Sequence, residues 1–181
     1  MTDQTGQLTG PFAIMLIAPG VGDAVESLGT ALRTRSSLSP RVREIATLTI
    51  ASHYQSEFEW SAHEPAAKNA GFTTSQLDQL KRKQIPDGLD EAEKAAVESV
   101  ILLLNAHSLD NPSYQKAVAL LGEQGLAELV WLCGYYSMLA VALNAFPAQN
   151  STRFQNGGVS DPAESSREPR VGPSRSAPVQ R

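Results

Sequence analysis

Glu59 and His63 stand four residues apart in the segment Leu38 to Gly71, LSPRVREIATLTIASHYQSEFEWSAHEPAAKNAG. On a helix that spacing makes the two side chains neighbours on one face, with Ser56 three residues earlier on the same stripe. A carboxylate beside an imidazole can orient the ring and hold its proton, and histidine titrates near working pH. Glu44 lies upstream in a mostly apolar run with Val42, Ile45 and Leu48. A carboxylate placed there must face a partner such as Arg41 or Arg43, or a polar cavity. Two carboxyl groups and one imidazole, their acidities set apart by burial and charge, are the equipment of general acid–base chemistry. Trp60, beside Glu59, is large enough to wall off a pocket. Plainer roles fit the same residues: a surface i,i+4 pair worth a few tenths of a kcal/mol for Glu59 and His63, a salt bridge for Glu44, and packing for Trp60. Metal binding by Glu44, Glu59 and His63 is not expected. Helical di-metal sites take Glu-x-x-His pairs from two helices, whereas this chain has one pair at the longer spacing.

These residues need helices to hold them, and the helix punctuation is legible. Pro11 to Ala18 is a short apolar segment, and Val21 to Thr34 carries Val25, Leu28 and Leu32 on one side. Ser39-Pro40 supplies an N-cap and a first-turn proline for a helix through about His53. The next helix runs from about Ser56 to Ala70 and stops at Gly71. Pro65 lies inside it, two residues after His63, where a kink or local break is expected. His53 and Glu57 form a second i,i+4 pair if the helix is continuous, on a different face from Glu59 and His63. Thr73-Thr74-Ser75-Gln76 fits a capping box with Phe72 and Leu77 as a hydrophobic staple, and Asp90-Glu91-Ala92-Glu93 opens a helix to about Ala106. Asn111-Pro112 opens another, ended by Gly122, and an apolar helix from about Leu126 to Phe146 closes the domain. No alternating strand pattern of any length intervenes, so the fold is all-α. In that last helix Tyr135, Tyr136 and Asn144 are polar and need partners, and Tyr136 and Asn144 are candidates to line a pocket.

Composition narrows the function classes. The chain has 181 residues, 41% hydrophobic and 19% charged, with a formal net charge of -4. That balance fills one core, and it offers no basic field for nucleic acid or anionic lipid. Leu129 to Phe146 is uncharged and approaches a bilayer span, yet it holds Asn144, Ser137, two tyrosines and Gly134 without flanking cationic clusters. A central bundle helix or an oligomer interface is expected rather than a membrane segment. The start lacks a cationic stretch followed by an apolar one, and there is a single cysteine, so a reducing cytoplasm is expected. Residues 1–147 form one helical domain. Residues 148–181, rich in Ser, Pro, Arg and Gly, are expected to be a disordered tail because they cannot offset the entropy of ordering.

Three motifs carry a resemblance: R-x-R-E at Arg41 to Glu44, E-F-E-W-x-x-H at Glu57 to His63, and the G-Y-Y…N-A-F helix ending at Phe146. From about Gly10 to Phe146 the chain resembles the carboxymuconolactone decarboxylase-like superfamily, which includes the alkylhydroperoxidases. The resemblance implies an alkylhydroperoxidase-like helical bundle and a homo-oligomer, trimer or hexamer. The peroxidase branch shows a Glu, eleven residues, C-x-x-C, three residues and a His. Glu44 and His63 match its ends, while Ser56 and Glu59 stand at the cysteine positions. Disulfide chemistry needs one thiolate to attack and a second thiol to resolve, and Cys133 is alone on another helix. A cysteine-based peroxidase is therefore not expected. The resemblance implies instead a cofactor-free acid–base lyase, acting by decarboxylation or lactone chemistry on a small carboxylated substrate. Glu44, Glu59 and His63 would be catalytic, and Ser56, Trp60, Tyr136 and Asn144 would touch substrate. The alternative is a non-catalytic helical oligomer that binds a small ligand or a protein.

Overall fold

The computed structural model describes residues 9–146, and every regular element among them is a helix. In chain order these are α1 (Pro11–Ile17), α2 (Pro19–Thr34), α3 (Pro40–Tyr54), α4 (Glu57–Asn69), α5 (Thr74–Lys81), α6 (Glu91–Ala106) and α7 (Asn111–Ala145). The tail at 148–181 lies outside the described residues.

Local chemistry sets most boundaries. Ser39 caps α3 by accepting from the Val42 amide at 3.2 Å, with Pro40 in the first turn. Thr73 with Gln76, and Asp90 with Glu93, form the two reciprocal capping boxes expected at α5 and α6. At the end of α3 the chain turns through Gln55 in the left-handed region, φ 54°, and Ser56 immediately caps α4. His53 and Glu57 consequently sit on different helices and form no pair; Glu57 instead lies 3.5 Å from Lys81. Gly71, at φ 97°, ends α4 with its amide bonded to the Lys68 carbonyl at 2.9 Å. The expected break at Pro65 does not occur, since α4 continues through it to Asn69. The last two expected helices are joined directly: Gly122, at φ 75° and ψ 163°, interrupts the helical backbone inside α7 with no loop around it. Those dihedrals suit glycine, which pays no Cβ penalty there.

Packing makes α3 the axis of the domain. It contacts α4, α5, α6 and α7, and every residue from Glu44 to Ser52 is buried. One side joins Val42, Ala46 and Ile50 to Val100 of α6 and to Leu129, Leu132 and Leu139 of α7. The other joins Ile45 and Leu48 to Trp60, Phe72, Leu77 and Leu80 of the α4–α5 side. Burying an apolar side chain of this size contributes roughly 1.5 to 3 kcal/mol. Arg41 bridges the far end: it pairs with Glu93, which is 2% exposed, donates to the Ala70 carbonyl at 3.1 Å and covers the Phe72 ring at 4.0 Å. By length and composition α7 is apolar enough to cross a membrane, but half of its most apolar window is buried within the domain. α1 and α2 cross its C-terminal half and roof the space between α4 and α7.

Candidate functional site

Under that roof lies a cavity of about 370 Å³. Glu44, Glu59, His63 and Tyr136 line it together, so α3, α4 and α7 each bring polar groups to one place. Glu44 reaches it from α3, a helix buried through most of its length, with its carboxylate at the cavity wall beside the His63 ring. His63 Nδ1 lies 2.8 Å from Glu44 Oε2, a hydrogen bond between adjacent helices. The other ring nitrogen, Nε2, lies 3.9 Å from Glu59 Oε2, one helical turn away on α4. The imidazole is thus flanked by two carboxylates, one on each nitrogen. Tyr136 packs edge-on against the same ring at 5.0 Å and 89°, which restricts its rotation.

The two carboxylates live in different surroundings. Glu44 has Arg43 Nε at 3.7 Å as well as His63. Glu59 is 3% exposed, and its Oε1 is buried with no hydrogen-bond partner among the described residues. Burial pushes the Glu59 carboxyl up to about 7, against the opposing pull of His63 and Arg33. Its neutral form is therefore well populated near neutral pH, and the carboxyl can donate a proton as well as accept one. Burial also raises the Tyr136 hydroxyl, helped by Glu59 and opposed by Arg33, so this phenol stays protonated and serves as a donor.

Three expected substrate contacts are elsewhere. Ser56 is spent as the α4 N-cap, accepting from the Glu59 amide at 3.5 Å. Trp60 is rotated one residue past Glu59 and packs into the α4–α5 core. Its indole donates to Glu64 at 3.1 Å, and Lys81 lies 5.1 Å from its ring. Both line a separate recess with Lys81. Asn144 is exposed on α7, because the helix turns Leu143 rather than its neighbour inward. The Glu44 carboxylate takes its close partner from α4, while Arg41 is committed to Glu93.

Other lining residues were not singled out as site residues in the sequence: Phe12 and Met15 on α1, Arg33 on α2, Phe58 on α4, and Tyr135 and Leu139 on α7. Cys133 is buried in the main core, and burial raises its thiol, with Ser137 opposing. Among the described residues no group of three or more His, Cys, Asp or Glu converges as a metal-holding set.

Comparison with known proteins agrees with this architecture. The model of the carboxymuconolactone decarboxylase family matches residues 19–100, which contain Glu44, Glu59 and His63. No curated protein sequence matches the chain significantly. Among solved structures, a protein of unknown function from Agrobacterium tumefaciens, assigned by name to AhpD antioxidant defence, superposes with a TM-score of 0.65 at 14% identity. The match covers 75% of this chain and 94% of that one. An uncharacterized peroxidase-related protein from Silicibacter gives a TM-score of 0.66 at 13% identity, covering 77% of this chain and 75% of its own. At such identities these two report the fold. The chain thus resembles the carboxymuconolactone decarboxylase family over residues 19–100 and shares its all-helical fold with these two structures.

Proposed function

We propose that the protein is a cofactor-free acid–base enzyme that performs decarboxylation or lactone chemistry on a small carboxylated substrate. One observation carries this reading: His63 stands between two carboxyl groups that line the cavity, and one of these has a buried, unpartnered oxygen. Glu44 accepts from the Nδ1–H of His63, which fixes the tautomer and leaves the Nε2 lone pair toward the cavity and Glu59. Nε2 is then the base that takes a proton from a substrate carbon or returns one to it. Protonated Glu59 and the Tyr136 hydroxyl are donors for the enolate-like oxygen that develops when carbon dioxide leaves or a lactone opens. Burial of Glu59 and Tyr136 strengthens these interactions.

The expected result is that His63→Ala lowers turnover of lactone and β-keto acids by about 100-fold or more while leaving the fold intact. Equal turnover by the two proteins would remove His63 from the mechanism.

Peroxide reduction at cysteine is the competing reading, favoured by the name of the Silicibacter structure. It lacks chemistry here: Ser56 and Glu59 supply no sulfur, and Cys133 is a single buried thiol of raised pKa. Unchanged peroxide turnover in Cys133→Ser would close that route. A non-catalytic ligand-binding oligomer is the second reading, since a bound ligand would equally partner the orphaned Glu59 oxygen; binding of lactone or β-keto acids without turnover would favour it. The reading includes assembly as a trimer or hexamer in the cytoplasm, with neither nucleic acid nor membrane as partner.

A further inference from the structure

We infer that Arg33, held in place by Tyr135 against Gly29, is the carboxylate anchor of the cavity and selects anionic over neutral ligands of the same shape. The inference rests on the acid–base reading for the identity of the site but concerns the wall of the cavity that α2 supplies.

Arg33 is a cation on the cavity wall supplied by α2, and its side chain is 40% exposed. Besides its hydrogen bond with the Tyr135 hydroxyl, its present partners are weak. Thr30 Oγ1 accepts from it at 3.2 Å, and Glu26 lies at 3.9 Å with half of its side chain in solvent. A ligand carboxylate offers a better, two-oxygen partner to a planar guanidinium. α2 is shaped to hold the group there. A Cβ at Gly29 would fall 2.1 Å from the Tyr135 hydroxyl oxygen and 2.9 Å from Arg33 Nη1, so both polar ends nest where only a glycine leaves room. Tyr135 in turn packs edge-on against Tyr136, whose other neighbour is His63. One row of side chains therefore runs from the anchor to the base.

The rest of the wall is apolar, from Pro11, Phe12, Met15, Phe58 and Leu139. At about 370 Å³ the cavity sits near the small end of the range of ligand sites, which runs from about 300 to 1,000 Å³. A compact apolar body with one carboxylate fits these facts. Glu44 disfavours an anion beside it while Arg33 favours one, which orients a ligand carboxylate toward Arg33.

Benzoate and benzamide are the probes, titrated calorimetrically into the full-length protein with the Met15 methyl resonance as a local reporter. Benzoate is expected to shift Met15 and to bind roughly tenfold or more tightly than benzamide. Arg33→Gln should abolish that preference by weakening benzoate alone, and Arg33→Lys should retain part of it. Gly29→Ala, which displaces the pair without removing a charge, should weaken benzoate as well. Equal affinities for the two probes in wild type, no benzoate binding, or an Arg33→Gln protein with undiminished benzoate affinity would each overturn the inference. Binding is read without turnover. An inactive site with intact selectivity therefore removes only the acid–base reading, and the converse result removes only the anchor.

Discussion

Glu59 holds its carboxyl in a place that costs stability, and the cost has a pH signature. Burial raises it from an ordinary 4.5 to about 7, so folding takes up a proton between those values. Its contribution is most favourable below about pH 4.5 and is lost as pH rises through about 7, by roughly 3 kcal/mol in all. Glu59→Gln removes the ionisation. Its melting temperature relative to wild type should rise between pH 5 and pH 8, as followed by circular dichroism. A pH-independent difference would contradict the raised acidity. The same variant should lose activity, the expected pattern where a strained polar group serves chemistry rather than the fold.

Two charged residues decide how the helices are held. Arg41 serves α3, the end of α4 and α6 at once, through Glu93, the Ala70 carbonyl and the Phe72 ring. Arg41→Ala leaves Glu93 buried without its countercharge and should cost about 3 kcal/mol or more in urea unfolding. A loss below about 1 kcal/mol would show that solvent reaches Glu93. Glu128 of α7 clasps the link between α2 and α3. Its Oε2 accepts from the Ser36 hydroxyl and the Ser37 amide, each at 2.7 Å, while Gln124 donates to Oε1 at 2.8 Å. Burial works against ionisation, yet the bonds from Gln124, Ser36 and Ser37 outweigh it and pull the carboxyl down to about 2. That support is present above the unfolded-state value and fades as pH falls toward 2. Glu128→Gln should therefore be less stable than wild type at pH 7, and the gap should close in acid.

At the scale of the whole molecule, the outer faces leave much apolar surface uncovered. Leu16, Ile17 and Val21 are at least 60% exposed, and Trp131 and Val141 are 65% and 55% exposed on α7. Patches of this kind on a small protein mark association, and the expected state in analytical ultracentrifugation is a trimer or hexamer. Trp131→Glu with Val141→Glu should yield monomers, whereas a wild-type monomer at micromolar concentration would contradict the expectation. The helices, their caps and the Glu59–His63 pair were legible in the chain because each depends on neighbours within a turn or two, where 3.6-residue geometry governs; Glu44, on the preceding helix, was joined to them by the family resemblance. The contents of the cavity were not. Ser56 and Trp60 share α4 with the site, but one is consumed by capping and the other faces a different core. Arg33, Met15 and Tyr135 join it from helices far away in sequence. Sequence alone determines the turns of each helix and the types of group they carry. How α1 and α2 lie across α4 and α7, and so which side chains share one desolvated space, is set by long-range packing, and local periodicity holds no record of it.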